Sequence, residues 1–236
     1  MDKLLLFEIK GDYAHFKKYY TTTSPLTFEI PPPPTLAGII SAIIGLDKKE
    51  YLNFFSDTSQ FKMAVRLLNP VVKIRLTLNY IDTKHHFWRI HNRTQIQTEF
   101  LKNPHYRIYF YHSDKTIYDS LKRHLENHTS VYSVSLGLSQ LLGNTLYGEE
   151  REIELLEKDS FIPIHSVIPR WKECINNIQY SMGAEIFSVN YPLHMTPDRI
   201  VDERGDILFD RQGKAIVCQP LKAFHVKETG ENIVFF

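Results

Sequence analysis

The chain has 236 residues, 43% of them hydrophobic, with 28 Lys/Arg against 27 Asp/Glu for a formal charge of +1. This length and composition allow one large domain, or a small domain with an elaborated second half, and exclude global disorder. The longest apolar run, "LAGIISAIIGL", is too short to span a bilayer, and "MDKLLLFEIKGDY" carries no basic leader or small-residue cleavage site; a cytoplasmic protein without membrane contact is expected.

In chain order, "KLLLFEIKG" reads as a buried first strand closed by Gly11. "DYAHFKKYYTTTSP" has no period and is expected to be an exposed irregular loop. Lys17, Lys18 and Tyr20 there, with the "TTTS" hydroxyls behind them, offer phosphate donors and rings, although such rings also serve simply to cover a sheet edge. "LTFEI" is short and strand-like. Four prolines follow, which hold the chain near polyproline geometry and donate no hydrogen bonds. Leu36, Ile39, Ile40, Ile43 and Ile44 then form one apolar helical stripe, with Pro34 in the first turn and Gly45 as the stop. Between them lie the small residues Ala37, Gly38, Ser41 and Ala42. Gly38 and Ser41 are expected to mark a face that another backbone approaches closely.

"DKKEYLNFF" continues as a second short helix, and "FKMAVRLLNP" and "VVKIRLTLNYI" are β-rich. In the latter, Lys73, Arg75, Thr77 and Asn79 alternate with apolar residues, the mark of a half-exposed strand. "HYRIYFYHS" alternates again, placing Arg107, Tyr109 and Tyr111 on one face. The intervening segment is too long for a tight turn and reads as an inserted basic projection. Residues 73–107 hold seven Lys/Arg against two acids. Phe87 and Trp88 interleave with Arg89, His91 and Arg93, which suits single-stranded RNA held by stacking and backbone charge; an ordinary solvated hairpin also carries such charge. Ser113 or Asp114 caps the next helix, in which Ile117, Leu121 and Leu125 recur every four residues. "EIELLE" or "YSVSL" can supply a closing strand. The order β-α-β-β-α-β is the ferredoxin-like plan, shared by the RNA-recognition module.

Beyond residue 160 the chain is turn-rich and β-like, and "DILFDRQGKAIVC" and "AFHVKETGENIVFF" read as hairpins. Two domains are expected: 1–159, with an insertion near 82–104, and a β-hairpin-rich region over 160–236. Cys174 and Cys218 have no zinc-like spacing and read as buried free thiols. The acids Asp198, Asp202, Glu203, Asp206 and Asp210 lack an ordered calcium-loop pattern. No nucleotide-binding, hydrolase or zinc-protease motif occurs, so neither metal nor cofactor is expected.

"PPPPTLAGIISAIIG" after a glycine-closed strand and a basic aromatic loop is similar to the N-terminal signature of the CRISPR-associated Cas-five family, of the RAMP superfamily. "QTEFLKNPHYRIYF" (97–110) and "SLGLSQLLG" (135–143) resemble two further family segments in the same order, the former leaning toward type I-B. The resemblance implies a ferredoxin-like palm with an extended β-hairpin thumb. It implies an RNA-binding subunit of a type I Cascade complex that caps the crRNA 5′ handle. Its partners would be the crRNA, the backbone subunit and the large subunit, with target DNA reached indirectly. The candidate RNA-binding residues are Lys17, Lys18, Tyr20, Arg75, His86, Trp88, Arg89, His91, Arg93 and Arg107. Two alternatives stay open. One is a metal-independent endoribonuclease drawing on Tyr51, Lys84, His85, His86 or His91, although no spacing picks out a triad. The other is a scaffolding subunit with incidental RNA contact.

Overall fold

A computed structural model of the chain describes residues 3–81, 93–156, 160–170 and 175–236. The fold is α+β and ferredoxin-like. Its sheet is built from Lys3–Lys10, Phe61–Leu67, His105–His112 and Asn144–Leu156. The first strand lies between the fourth and the third, and the second strand pairs with the third, every pairing antiparallel. The closing strand therefore contains "EIELL" (152–156) rather than "YSVSL".

The first helix, Pro33–Ile44, ends at Gly45, whose φ of +82° gives a left-handed stop and whose N–H donates to Ser41 O at 2.8 Å. The helix over Lys115–Glu126 is capped by Asp114, which accepts from Thr116 N at 2.8 Å. Leu36, Ile39, Ile40 and Ile43 from the first helix and Ile117, Leu121 and Leu125 from the later one cover one face of the sheet, against Leu5, Phe7, Ile9, Val65, Ile108 and Phe110. Each such side chain stabilises by about 1.5–3 kcal/mol when fully buried.

The opposite face holds a second core, in which Leu4, Leu6, Ala64 and Tyr109 pack against Val226, Ile233 and Phe235. This is why the first strand is apolar along its length instead of alternating. Ala223–Val226 pairs with the closing palm strand, and Glu231–Ile233 pairs with Ala223–Val226, so both extend the same sheet. The boundary expected at 159/160 thus divides the sequence but not the core. Tyr191, Leu193, Ile207 and Phe209 also belong to the helix-side cluster.

Between the second and third palm strands an antiparallel hairpin is inserted, Lys73–Ile81 against Arg93–Lys102. It begins nine residues earlier than the expected 82. In the C-terminal region Ile186–Met195 pairs with Val201–Asp210, while Ile216–Pro220 pairs with Ile162–Ile164 and Ile175–Gln179. "DILFDRQGKAIVC" is therefore a crossing between two small sheets and not a hairpin. Asp210 holds the crossing by accepting from the backbone N–H of Glu185, Gln212 and Lys214.

Candidate nucleic-acid interface

The segment expected to be an irregular loop is instead stitched to the palm. Tyr13–Ala14 pairs with the base of the inserted hairpin at Lys102 and Leu101, and Phe16–Lys17 pairs with Phe28 and Thr27. His15 and Phe16 between them are buried. His15 Nδ1 donates to Glu99 O at 2.7 Å. Burial, aided by the nearby Lys17 charge, depresses this imidazole below its ordinary value, although the Glu99 contact opposes the shift.

Glu29 is the hub of this junction. Lys73 Nζ lies 2.7 Å from Glu29 Oε1 and 3.0 Å from Glu99 Oε1, and Lys18 Nζ lies 3.6 Å from Glu29 Oε1. Tyr191 donates its hydroxyl to Glu29 Oε2 at 3.0 Å, and Tyr106 donates to Glu29 O at 2.8 Å. Burial alone would raise the Glu29 carboxyl, but the charges of Lys73 and Lys18 outweigh it and hold the group below its ordinary range. The hub joins the loop, the hairpin base, a central palm strand and the C-terminal hairpin, and so fixes where the projection stands relative to the palm.

Beside the loop is a cleft of about 320 Å³, lined in part by Thr35, Gly38, Tyr51, Ser133, Ser135, Gly137 and Arg199, with no carboxylate in its wall. Its floor is the small-residue face of the first helix. The prolines leave no free donors there, because Thr35 N and Leu36 N both donate to Pro32 O. Its wall is the 131–143 segment, anchored where Val131 N and Tyr132 N donate to Ile43 O and Ala42 O at 3.0 and 2.9 Å. Arg199 closes the rim. Its Nη2 donates to Lys48 O at 2.6 Å, and its guanidinium stands 5.8 Å from the Tyr51 ring centroid. Burial raises the Tyr51 phenol despite that cation, so it remains a neutral hydroxyl. One arginine, several hydroxyls and no acid suit a phosphate with its sugar, and the volume falls at the small end of ligand pockets.

Gly38 does not meet a neighbouring backbone. A Cβ there would meet only Tyr51 Oη, at 3.8 Å, so the position opens into the cleft. Ser41 is buried and donates back to Ala37 O at 2.6 Å, and it presents no approach surface. The close approach occurs at Gly137 instead, with φ +103°, where a Cβ would fall 1.9 Å from His15 O. The "SLGLSQLLG" segment therefore lies directly on the basic loop.

Lys17 is exposed and makes no ion pair among the described residues. Tyr20 is 57% exposed. Arg75 and Arg93 are exposed on the face of the hairpin that also carries Thr77, Asn79, Gln95 and Gln97. Lys18 and Arg107, by contrast, are not free cations. Lys18 is buried against Glu29 and the Phe28 ring. Arg107 bonds Glu8 at 2.7 Å and Glu231 at 2.6 Å across the sheet face covered by the C-terminal strands. His86, Trp88, Arg89 and His91 lie outside the described residues, as do Lys84, His85 and Cys174. Cys218 is buried, which pushes its thiol up to about 12.

Sequence reasoning missed Arg199, Ser133 and Ser135. "TPDR" signals a turn, but nothing in it points to the first helix. The acidic scatter serves the fold: Asp202 holds His194 at 2.6 Å and Asp206 accepts from Asn190. Among the described residues no group of three or more potential metal ligands forms, and no helix is long and apolar enough to cross a membrane.

A family model described as CRISPR-associated protein (Cas_Cas5) matches residues 4–132, just over half of the chain. No curated protein matches it. Among solved structures, a CRISPR protein from Archaeoglobus fulgidus is similar over 99% of this chain and 98% of its own, with a TM-score of 0.56 and 14% identity. A chain of the type III-B Cmr-beta complex bound to cognate target RNA and AMPPnP is similar over 91% of this chain and 86% of its own, with a TM-score of 0.50 and 10% identity.

Proposed function

Because the chain belongs to the CRISPR-associated Cas5 family, we propose that it is a non-catalytic RNA-binding subunit of a CRISPR RNA-guided complex, of type I and near subtype I-B. On this reading it caps the 5′ handle of the crRNA and links the backbone filament to the large subunit. The observation that carries it is the acid-free cleft, with Arg199 and hydroxyls at its wall and Lys17 on the adjoining loop. A chain of the same fold in an RNA-bound type III-B assembly supports the setting.

The cleft supplies a direct test. A Cβ at Gly38 makes only an ordinary contact with Tyr51 Oη and faces the cleft, so Gly38→Leu is expected to fold normally and fill the site. Arg199→Gln removes the rim cation and should lower the log–log salt slope of RNA binding by about 0.7. Both variants should weaken capture of handle RNA, measured by anisotropy beside the melting temperature. Full capture by a folded Gly38→Leu protein would refute the assignment. Repeat RNA incubated with the protein in EDTA should remain intact, and a product at its 3′ region would establish the endoribonuclease alternative. Assembly of the complex should require crRNA, and RNA-independent assembly would favour a scaffold.

A further inference from the structure

The family match stops at residue 132, yet the C-terminal hairpin places a cation against the basic loop. Arg204 sits with its guanidinium 4.7 Å from the centroid of the Tyr19 ring. Tyr19 is held in turn by its hydroxyl, which donates to Asn190 Oδ1 at 3.2 Å, and its ring is tilted against Phe28 at 6.5 Å. Tyr20 stands edge-on to Tyr19, with centroids 5.1 Å apart and planes at 89°. Half of Tyr19 and more than half of Tyr20 face solvent.

The acids on this face of the hairpin are already engaged. Asp202 holds His194, and Asp206 accepts from Asn190 at 3.1 Å and Ser188 at 3.5 Å. Arg204 is exposed and makes no ion pair among the described residues. Its planar fork is therefore oriented by the Tyr19 ring while its donors remain available, and the exposed Tyr20 ring stands edge-on against that same Tyr19. Lys17 lies two residues from Tyr19 on the same loop.

We propose that Arg204, Tyr19 and Tyr20 form a second RNA-contacting site, in which Tyr20 stacks on an unpaired nucleobase and Arg204 binds the adjoining phosphate. An exposed ring and a ring-oriented guanidinium are the groups on which splayed single-stranded bases are held. The proposal rests on the RNA-binding reading above and extends it to Arg204, beyond the family match.

The test uses the full chain and a fluorescein-labelled single-stranded RNA, titrated at several salt concentrations. Tyr20→Ala should weaken binding about 5–150-fold while Tyr20→Phe keeps it. Arg204→Gln should weaken binding and lower the salt slope by about 0.7. Arg204→Lys should keep the slope yet lose affinity, because an ammonium lacks the planar fork. If folded Tyr20→Ala and Arg204→Gln bind like wild type while Gly38→Leu and Arg199→Gln do not, this site is refuted and the cleft reading stands. If Arg204→Gln blocks only assembly with other proteins, the patch is a protein interface and the proposal fails. If the wild-type chain binds no RNA, the functional reading fails and takes this site with it.

Discussion

Two glycines that look alike in sequence should respond to alanine with opposite signs. At Gly38 an added methyl group meets nothing closer than Tyr51 Oη at 3.8 Å, an ordinary contact. Alanine there removes the entropic cost of a helical glycine and should stabilise by about 0.5–1 kcal/mol. For a chain of this size that is a rise of about 1–4 °C in melting temperature. At Gly137 the methyl group would fall 1.9 Å from His15 O and 2.7 Å from its carbonyl carbon, with φ at +103°. Backbone must move by about 1.5 Å to restore contact distance, and the positive φ alone costs about 1–3 kcal/mol. A loss of at least about 2 kcal/mol follows, or a fall of about 4–8 °C or more. Thermal unfolding by circular dichroism, checked by urea midpoint, measures both. A destabilised Gly38→Ala, or a Gly137→Ala that melts with wild type, would refute the assignment of open and closed sides to this junction.

Lys73→Met should unlock the hub. Removing one partner of a buried pair costs about 3–5 kcal/mol, and because 29% of the Lys73 side chain is exposed the lower end applies in urea unfolding. The Glu29 carboxyl is held below its ordinary 4.5, so its contribution is complete above that value and is lost as pH falls through the depressed one. Lys73 is raised above 10.5, so its contribution is complete below that value and is lost as pH rises through the elevated one. Lys73→Met should flatten both flanks of the stability–pH curve, and unchanged flanks would place the hub's energy elsewhere. Glu231 receives Arg66, Arg107 and Tyr109 while almost fully buried. Glu231→Gln should therefore speed amide exchange across residues 223–233 before the palm interior, a result that uniform exchange would contradict.

The palm was legible because its signals are local. The 3–4 spacing of Leu36 to Ile44, the proline entry and the Asp114 cap are each written within one helix. The alternation in "HYRIYFYHS" separates the helix side, Tyr106, Ile108 and Phe110, from Arg107 and Tyr109. What fills the second side was not legible, since Glu231 is 124 residues from its partner Arg107 and no period links them. Packing also hid the true states of Lys18, whose partner Glu29 lies across the buried junction, and of Arg107, which meets Glu8 and Glu231. Each reads as a surface cation in sequence, and each is neutralised by a carboxylate that only the fold brings near. At the cleft, helical spacing gave the small-residue face but not what stands across from it. Ser133, Ser135 and Arg199 arrive from segments whose sequence speaks only of turns.

The return of the C-terminal strands to the palm also orders events during synthesis. Leu4, Leu6 and Tyr109 are made early, but their covering residues Val226, Ile233 and Phe235 follow Tyr109 by roughly 120 residues, or about 6–24 s at typical translation rates. From the completion of the closing palm strand at Leu156 until those residues arrive, a four-stranded antiparallel sheet presents a bare apolar face. Such exposure invites chaperone capture or strand-to-strand aggregation, and long-range closure of this kind is intrinsically slow. The nascent chain is thus most vulnerable after most of its sheet can already have formed.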